Sequence, residues 1–302
     1  MKDEELKQLA EHLIEIGSAL SSERELDVLL ERIVDEARRF TRADGGTLFI
    51  VDHEHLAWAI VQNESMGIRF GGLTNEPLDP GVFKPIALYE GREAQLHNVA
   101  AHVAHKAKTV NIADVYDEAD EFDFGGPRAF DASTGYRTKS MLVVPLMHHS
   151  VGVVGVLQLI NARDDDGEVC AFDSTFEQLT ASLASQASVA LKNAQLFEEL
   201  ELQFEAFTRS IAMAIDEKSP YTAGHVRRVV DVTMRIANAV NDTADSPYAE
   251  VTFDRDTFKS LRLAAWMHDV GKITTPEWIV DKATKLETLF DRIDLVRTRY
   301  EV

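Results

Sequence analysis

His268 and Asp269 stand side by side, with Gly271 and Lys272 close behind, and His225 precedes them in Gly224-His225-Val226-Arg227-Arg228. A neutral imidazole next to a carboxylate offers a divalent ion one nitrogen and one oxygen from a single helix end. A second imidazole on an earlier helix completes one face of the coordination sphere. His225, His268 and Asp269 are therefore the candidate metal ligands. Lys272, one helical turn on, is placed to meet a phosphate that such an ion activates, so Lys272 and Asp269 are the candidate catalytic residues. Imidazole with carboxylate suits Fe, Mn or Zn, which gives a divalent transition metal without choosing among them. His102 and His105, three apart, and the adjacent His148 and His149 have no third ligand near in sequence. Solvent-exposed histidines are expected at the first pair and hairpin-turn residues at the second, with no metal at either.

The elements that must carry these residues follow from periodicity. Leu9, Leu13, Ile16 and Leu20, then Leu26, Leu29, Leu30, Ile33 and Ala37, recur at helical spacing, with Ser21-Ser22 as break and N-cap. From Gly45 the texture changes to strands: Thr47–Val51 and Leu56–Val61 around an Asp52-His53-Glu54-His55 turn. A Gly, Pro and Asn-rich region follows to about residue 90, then a loop or short helix over His97–His105 and a strand from Thr109. Ser140–Met147 and Val151–Ile160 read as an antiparallel hairpin turning at His148-His149-Ser150. A long helical stretch, with breaks, runs from about Asp173 to about Ile215. In it Leu183, Ala190, Phe197, Phe204 and Ile211 fall seven apart. That stripe is either a coiled-coil seam of a parallel homodimer or one amphipathic face packed on its own domain. Helices are predicted over Glu205–Asp216, His225–Asn241, Asp256–His268 and about Lys285–Tyr300, with Trp266 and Met267 as core.

Composition excludes several classes. A formal net charge of −20 opposes non-specific nucleic-acid binding and docking on an anionic membrane. No apolar run is long enough to span a bilayer, and the lone Cys170, expected in a loop, cannot form an internal disulfide. The expected setting is cytoplasmic, with no nucleic-acid or membrane partner. An anionic small ligand in a locally basic pocket stays open.

Residues from about 20 to 195 resemble a GAF domain of the cyclic-nucleotide-binding branch, through Asn111-Ile112-Ala113-Asp114 and Asp131-Ala132-Ser133-Thr134-Gly135-Tyr136-Arg137-Thr138-Lys139-Ser140. The resemblance implies that Ile112 and Ala113 present backbone groups to a purine. It further implies that Asp131, Thr134 and Thr138 supply side-chain hydrogen bonds and that Thr47 lies under the ligand. Gln158 stands where the family often has Glu, and an amide offers a purine edge a different donor and acceptor pattern. The family's Asn-Lys…Phe-x3-Asp-Glu signature appears as Asn161-Ala162…Phe172-Asp173-Ser174-Thr175-Phe176-Glu177. Lys and Asp are both replaced by apolar residues, which leaves no single charge stranded. The alternative for the Asp and Thr residues is turn chemistry with no ligand.

Residues from about 205 resemble the HD superfamily of metal-dependent phosphohydrolases, and within it the HD-GYP branch. The match runs through Asp216–His225, Ala264–Ile273, Pro276–Val280 and Lys282–Leu286. The resemblance implies His225, His268 and Asp269 as ligands, Lys272 on the phosphoryl oxygens, Asp216 or Glu217 as a further carboxylate with the register weakly favouring Asp216, and cyclic di-GMP as substrate class. The branch's next His falls on Arg297, which binds no metal, and Asp281, Asp291 and Asp294 come too early for the distal Asp. The HD domain is accordingly expected as its amino-terminal part only, with little activity of its own.

The predicted architecture is an α+β GAF sensor (antiparallel sheet flanked by helices) joined by a long coiled-coil helix to an all-α, incomplete HD domain. Its parts are a helix at 1–20, the sensor at 21–195, a linker at 196–215 and the HD-like region at 216–302. The predicted function is a signalling protein in which a GAF ligand controls a phosphodiesterase. The rival is a non-catalytic regulator whose His225, His268 and Asp269 survive as a helix-packing, hydrogen-bonding cluster.

Overall fold

A computed structural model describes residues 15–23, 25–73, 75–117, 122–216, 224–243, 247–276, 279 and 293–302. The expectations for residues 1–14, Glu217, Asp281, Asp291 and Lys282–Leu286 lie outside these. The chain divides into two compact units, Met1–Phe197 and Glu198–Val302.

In the first unit a helical segment at 15–22 (α1) leads into α2 (Leu26–Thr41), which stops where Arg42 takes a left-handed conformation. The strands are β1 (Ala43–Asp52), β2 (His55–Asn63), β3 (Ile68–Phe70), β4 (Ile86–Ala87), the short pair β5 (Tyr89–Glu90) and β6 (Glu93–Ala94), β7 (Val110–Ile112), β8 (Met141–His148), β9 (Gly152–Arg163) and β10 (Val169–Cys170). Between them lie α3 (Val99–Lys106) and α4 (Gly125–Thr134), and after them α5 (Ser174–Asp216). The main sheet runs β3-β2-β1-β9-β8-β7, with β4 added on β2 and β10 on β9, and every pairing is antiparallel.

Both faces of that sheet are covered, so β8 and β9 read as continuous apolar runs. Their side chains still separate with period two. Leu142, Val144, Leu146, Leu157 and Leu159 join a core with Leu29, Ile33 and Ala37 of α2 and Leu183, Ala187 and Leu191 of α5. Met141, Val143 and Val156 join Phe49 and Val99, Val103, Phe122 and Phe124 in a second core on the other face. This is the α+β layering predicted.

Several local expectations change. The sequence predicts no helix at α4, where turn chemistry is the alternative for Asp131 and Thr134. Its Gly-Gly-Pro start is compatible with a helix because Pro127 falls in the first turn, where no backbone donor is needed. Gly135, at φ 74°, then closes it by donating its N–H to Asp131 O. His148 ends β8 opposite Gly152 instead of sitting in the turn, and Cys170 lies in β10, not a loop. α5 is one unbroken helix of 43 residues, started by Asp173, whose carboxylate accepts from Phe176 N at 2.8 Å. The seven-residue stripe divides along it: Leu183 and Ala190 are in the first core, whereas Phe197, Leu200, Phe204 and Phe207 are exposed. Its first half is therefore an internal packing face.

In the second unit α6 (His225–Asp242) and α7 (Arg255–Met267) pack through Val226, Val230, Ala265 and Trp266, with Ala212 from α5. A 3-10 turn at Val270–Ile273 and α8 (Ile293–Glu301) follow. Asp254 caps α7 by accepting from Thr257 N at 2.8 Å.

Candidate metal centre

His225 is the first residue of α6, behind Gly224 in the left-handed region at φ 75°. His268 is the C-cap of α7, and Asp269 precedes the 3-10 turn. Two helix ends thus deliver the three side chains. Their ligand atoms lie within 4.8 Å of one another, and the imidazole rings meet edge to face at 5.5 Å between centroids. Three donors on one face of a tetrahedral ion bonded at about 2.0–2.2 Å stand about 3.3–3.6 Å apart. Side-chain closure by about an ångström would bring all three onto one ion, and two imidazoles with a carboxylate fit a divalent ion in chemistry. His268 Nδ1 lies 2.8 Å from Ala265 O; donating its proton there leaves the Nε2 lone pair outward, 3.3 Å from Asp269 Oδ2. That is the outer-sphere arrangement that orients a ligating imidazole.

Lys272 does not stand apart. Its Nζ is 2.7 Å from Asp269 Oδ2, and its backbone N–H donates to Asp269 O at 2.9 Å across the 3-10 turn. Burial alone would lift the Asp269 carboxyl; the Lys272 ammonium, and then the His268 and His225 imidazoles, outweigh it and hold the group below the ordinary carboxylate range. Asp269 is an anion ringed by donors. Asp216, the further carboxylate suggested by resemblance, is buried at the end of α5 and is not one of the three clustered groups. Arg297 lies in α8 and pairs with Asp294 at 3.4 Å.

In the first unit Thr47 of β1 stands opposite Gln158 of β9, and Gln158 opposite Val143 of β8, so both lie on the face of the second core and both are half-buried. Ile112 is buried opposite Met141, and Ala113 follows it, exposed. Asp131, buried in α4, already accepts from Thr138 N, Thr138 Oγ1 and Tyr116 OH, each at 2.9 Å. Thr134 donates its hydroxyl to Phe130 O. The three polar side chains assigned to a ligand thus have internal partners, and the bonds between Asp131 and Thr138 tie α4 to the approach of β8. His102 and His105 are half-buried, with ring nitrogens 3.3 and 2.6 Å from the carbonyls of Leu96 and Leu88. They are backbone anchors, not the solvated side chains expected.

Sequence reasoning missed a cluster around Asp44. That buried carboxylate takes hydrogen bonds from Tyr136 OH at 2.7 Å, Ser65 Oγ at 2.7 Å and Arg163 at 2.6 Å. Asn161 Nδ2 in turn donates to the Tyr136 hydroxyl oxygen at 2.8 Å. Burial pushes the Asp44 carboxyl up, but the Tyr136 and Ser65 hydrogen bonds and the Arg163 charge bring it below its ordinary 3.8. A depressed folded value stabilises the fold above 3.8, and that contribution is lost as pH falls through the lower folded value. We therefore expect Asp44→Asn to lower the melting temperature of the first unit at neutral pH. The gap between variant and wild type should shrink as pH falls below 3.8. Calorimetry across a pH series measures it, and a gap that does not change with pH refutes it.

The GAF domain family matches residues 25–191 and the HD domain family residues 222–298. The chain is 29% identical over 210 residues to a dual 3′,5′-cyclic-AMP and -GMP phosphodiesterase 11 of Drosophila melanogaster, an alignment covering 67% of this chain and 13% of that protein. It is 25% identical over 191 residues to a cGMP-specific 3′,5′-cyclic phosphodiesterase of Drosophila sechellia, covering 62% and 14%. The chain therefore spans about one seventh of the length of these curated relatives. Among solved structures, the GAF domain of a phosphoenolpyruvate-protein phosphotransferase from Coxiella burnetii is similar at a TM-score of 0.46 and 15% identity, covering 63% of this chain and 96% of that one.

Proposed function

The chain belongs to the GAF domain family and carries an HD domain after it; from that premise we propose that it is a signalling phosphohydrolase. A small ligand in the GAF unit controls phosphodiester hydrolysis at His225, His268 and Asp269. The observation that carries the reading is the convergence of these three donors from two helix ends. A divalent ion held there supplies Lewis acidity toward a phosphoryl oxygen. The chain's own residues bind and orient: Ala265 O fixes the His268 ring, and Lys272 keeps Asp269 ionised while offering an ammonium to a phosphate. The relatives' names point to 3′,5′-cyclic mononucleotides as the substrate class, and the HD-GYP resemblance points to cyclic di-GMP. In the GAF unit a nucleotide over Thr47 and Gln158 is the ligand this reading assigns, and the exposed Phe197 and Leu200 of α5 suit a parallel homodimer. The rival, a non-catalytic regulator, draws its support from Arg297, which occupies the register of a branch histidine and is engaged with Asp294.

Metal analysis of the purified chain separates the two. Stoichiometric transition metal, lost in His268→Ala, is expected, with slow hydrolysis of at least one cyclic mono- or dinucleotide that is lost along with it. A folded protein that takes up no added Fe, Mn or Zn leaves only the regulator.

A further inference from the structure

At the edge of the sheet where β1 begins and β9 ends lies a cleft of about 450 Å³ lined by Arg38, Arg39, Arg42, Arg69 and Arg163. Five guanidinium groups, and no lysine, converge there in a chain with 51 acidic and 31 basic residues. Thr47 and Gln158 do not line it. The carboxylates that accompany the arginines differ in kind. Asp44 is buried and held by Arg163, Ser65 and Tyr136. Glu36, 3.7 Å from Arg39, is also mostly buried, at 16% exposed, whereas three others are at the surface: Arg69 pairs with Asp35, Arg42 with Asp165, whose side chain is 89% exposed, and Arg38 with Glu64 at 2.9 Å, whose side chain is 78% exposed. The two pairs exposed on both sides, Arg69–Asp35 and Arg42–Asp165, contribute about 0–1 kcal/mol each, so a multiply charged anion can replace them.

Arg38 gives the cleft its depth. Its side chain is only 10% exposed, and a guanidinium that deep is costly to bury unless fully paired. It donates to Gln62 Oε1 at 2.9 Å and to Asp44 O at 3.2 Å, yet its Nε has no hydrogen-bond partner among the described residues. The strand beneath makes room for it. A Cβ on Gly46 would come within 2.9 Å of Arg38 Cγ and 3.0 Å of Cδ. A buried cation seated on a glycine and flanked by replaceable surface pairs is suited to oxyanions, because planar guanidinium forks grip phosphate oxygens two at a time.

We propose that this cleft is a second ligand site of the GAF unit, binding a small phosphate compound with two or more negative charges. The shared chemistry is a diphosphate group, free or carried by a nucleoside. Calorimetric titration of the full chain, treated with a chelator and at low salt, tests it with inorganic pyrophosphate and, separately, with ADP and GDP. We expect saturable pyrophosphate binding at one site per chain, weakened about tenfold or more in Arg42→Gln/Arg69→Gln, weakened less in Arg42→Lys/Arg69→Lys, and reduced by salt. Tighter binding of a nucleoside diphosphate than of pyrophosphate identifies a nucleotide; equal binding identifies the phosphate group alone. Lys272→Ala leaves the affinity unchanged. Should the glutamine variant fail to fold, the lysine variant and the salt dependence decide. Absence of saturable binding, an affinity unaltered in the folded arginine variants, or its loss in Lys272→Ala overturns the proposal. In the last case the anion sits in the HD unit instead.

Discussion

Replacing Asp269 with Asn is expected to remove metal retention and lower phosphodiester hydrolysis by about three orders of magnitude, with a modest loss of stability. The two readouts separate for a structural reason. The Asp269 carboxylate is the one anion facing three nitrogen-bearing side chains: Lys272 Nζ at 2.7 Å, His268 Nε2 at 3.3 Å and the His225 ring beyond. An amide of the same shape keeps the backbone bond from Lys272 N but takes away the only negative charge in the donor set. Affinity of such a set for a divalent ion depends on that charge, and removing even an outer-sphere partner commonly costs ten- to about a hundredfold. Its worth to the fold is modest, because the pair is only partly buried, with side chains 22% and 24% exposed, and the amide oxygen still accepts a hydrogen bond from the Lys272 ammonium, so what is lost is on the order of 1–2 kcal/mol. Lys272→Ala should behave differently: metal retained, hydrolysis down by about a hundredfold, as for loss of one oriented donor to a developing anion. Metal content by mass spectrometry, turnover with a cyclic nucleotide and a melting curve on each variant check this. A variant Asp269→Asn that keeps its metal and its rate places the chemistry elsewhere.

The parts of this site close in sequence were the readable parts. His268, Asp269 and Lys272 sit within one helix end and one 3-10 turn, so their spacing alone puts the charges together. His225 needed the HD resemblance to be joined to them, because nothing in its own neighbourhood says which helix end it will face. The same contrast runs through the fold. α2, α6 and α7 announce themselves by apolar residues at three- and four-residue intervals. α4 does not, since Gly-Gly-Pro and Asp-Ala-Ser-Thr are also what turns are made of; only the capping geometry at Gly135 tells them apart. Along α5 the periodic stripe was legible but its partner was not: Leu183 and Ala190 use the pattern for their own core, and a heptad carries no label for what covers it. Least visible was the Asp44 cluster, where Asp44 and Arg163 are 119 residues apart. Polar pairing over such a separation is decided by strand register, which brings β1 beside β9, and no local pattern reports it.

Phe49→Ala is expected to cost the first unit about 3–5 kcal/mol, a large share of the 5–15 kcal/mol that holds a typical domain together. Phe49 lies on β1, a strand paired on both sides, and is almost wholly buried in the second core. Its ring is 4.6 Å from that of Trp58, which is 5.5 Å from Phe83, itself 5.3 Å from Phe70. The ladder between β1 and β2 shifts register at Leu48/Phe49, so Phe49 faces Trp58 at an irregularity that cannot slide to close a void. On its other side a Cβ on Gly155 would come within 2.7 Å of Phe49 O, which keeps the β9 backbone close as well. With backbone fixed on two sides the cavity stays open, and the penalty falls at the upper end of its class. Phe49→Leu should cost far less, about 1.5 kcal/mol, and Leu73→Ala, at an exposed position, within about 0.5 kcal/mol. Urea unfolding followed by Trp58 fluorescence, in a background where Trp266 and Trp278 are replaced by Phe, reads the first unit separately from the second. Thr47 lies two residues along the same strand, so the nucleotide binding proposed for the GAF unit should weaken with Phe49→Ala even where the unit remains folded. A loss below about 1 kcal/mol would show that β1 and β2 can re-register after all, and the bulge would then be a slack joint instead of a fixed one.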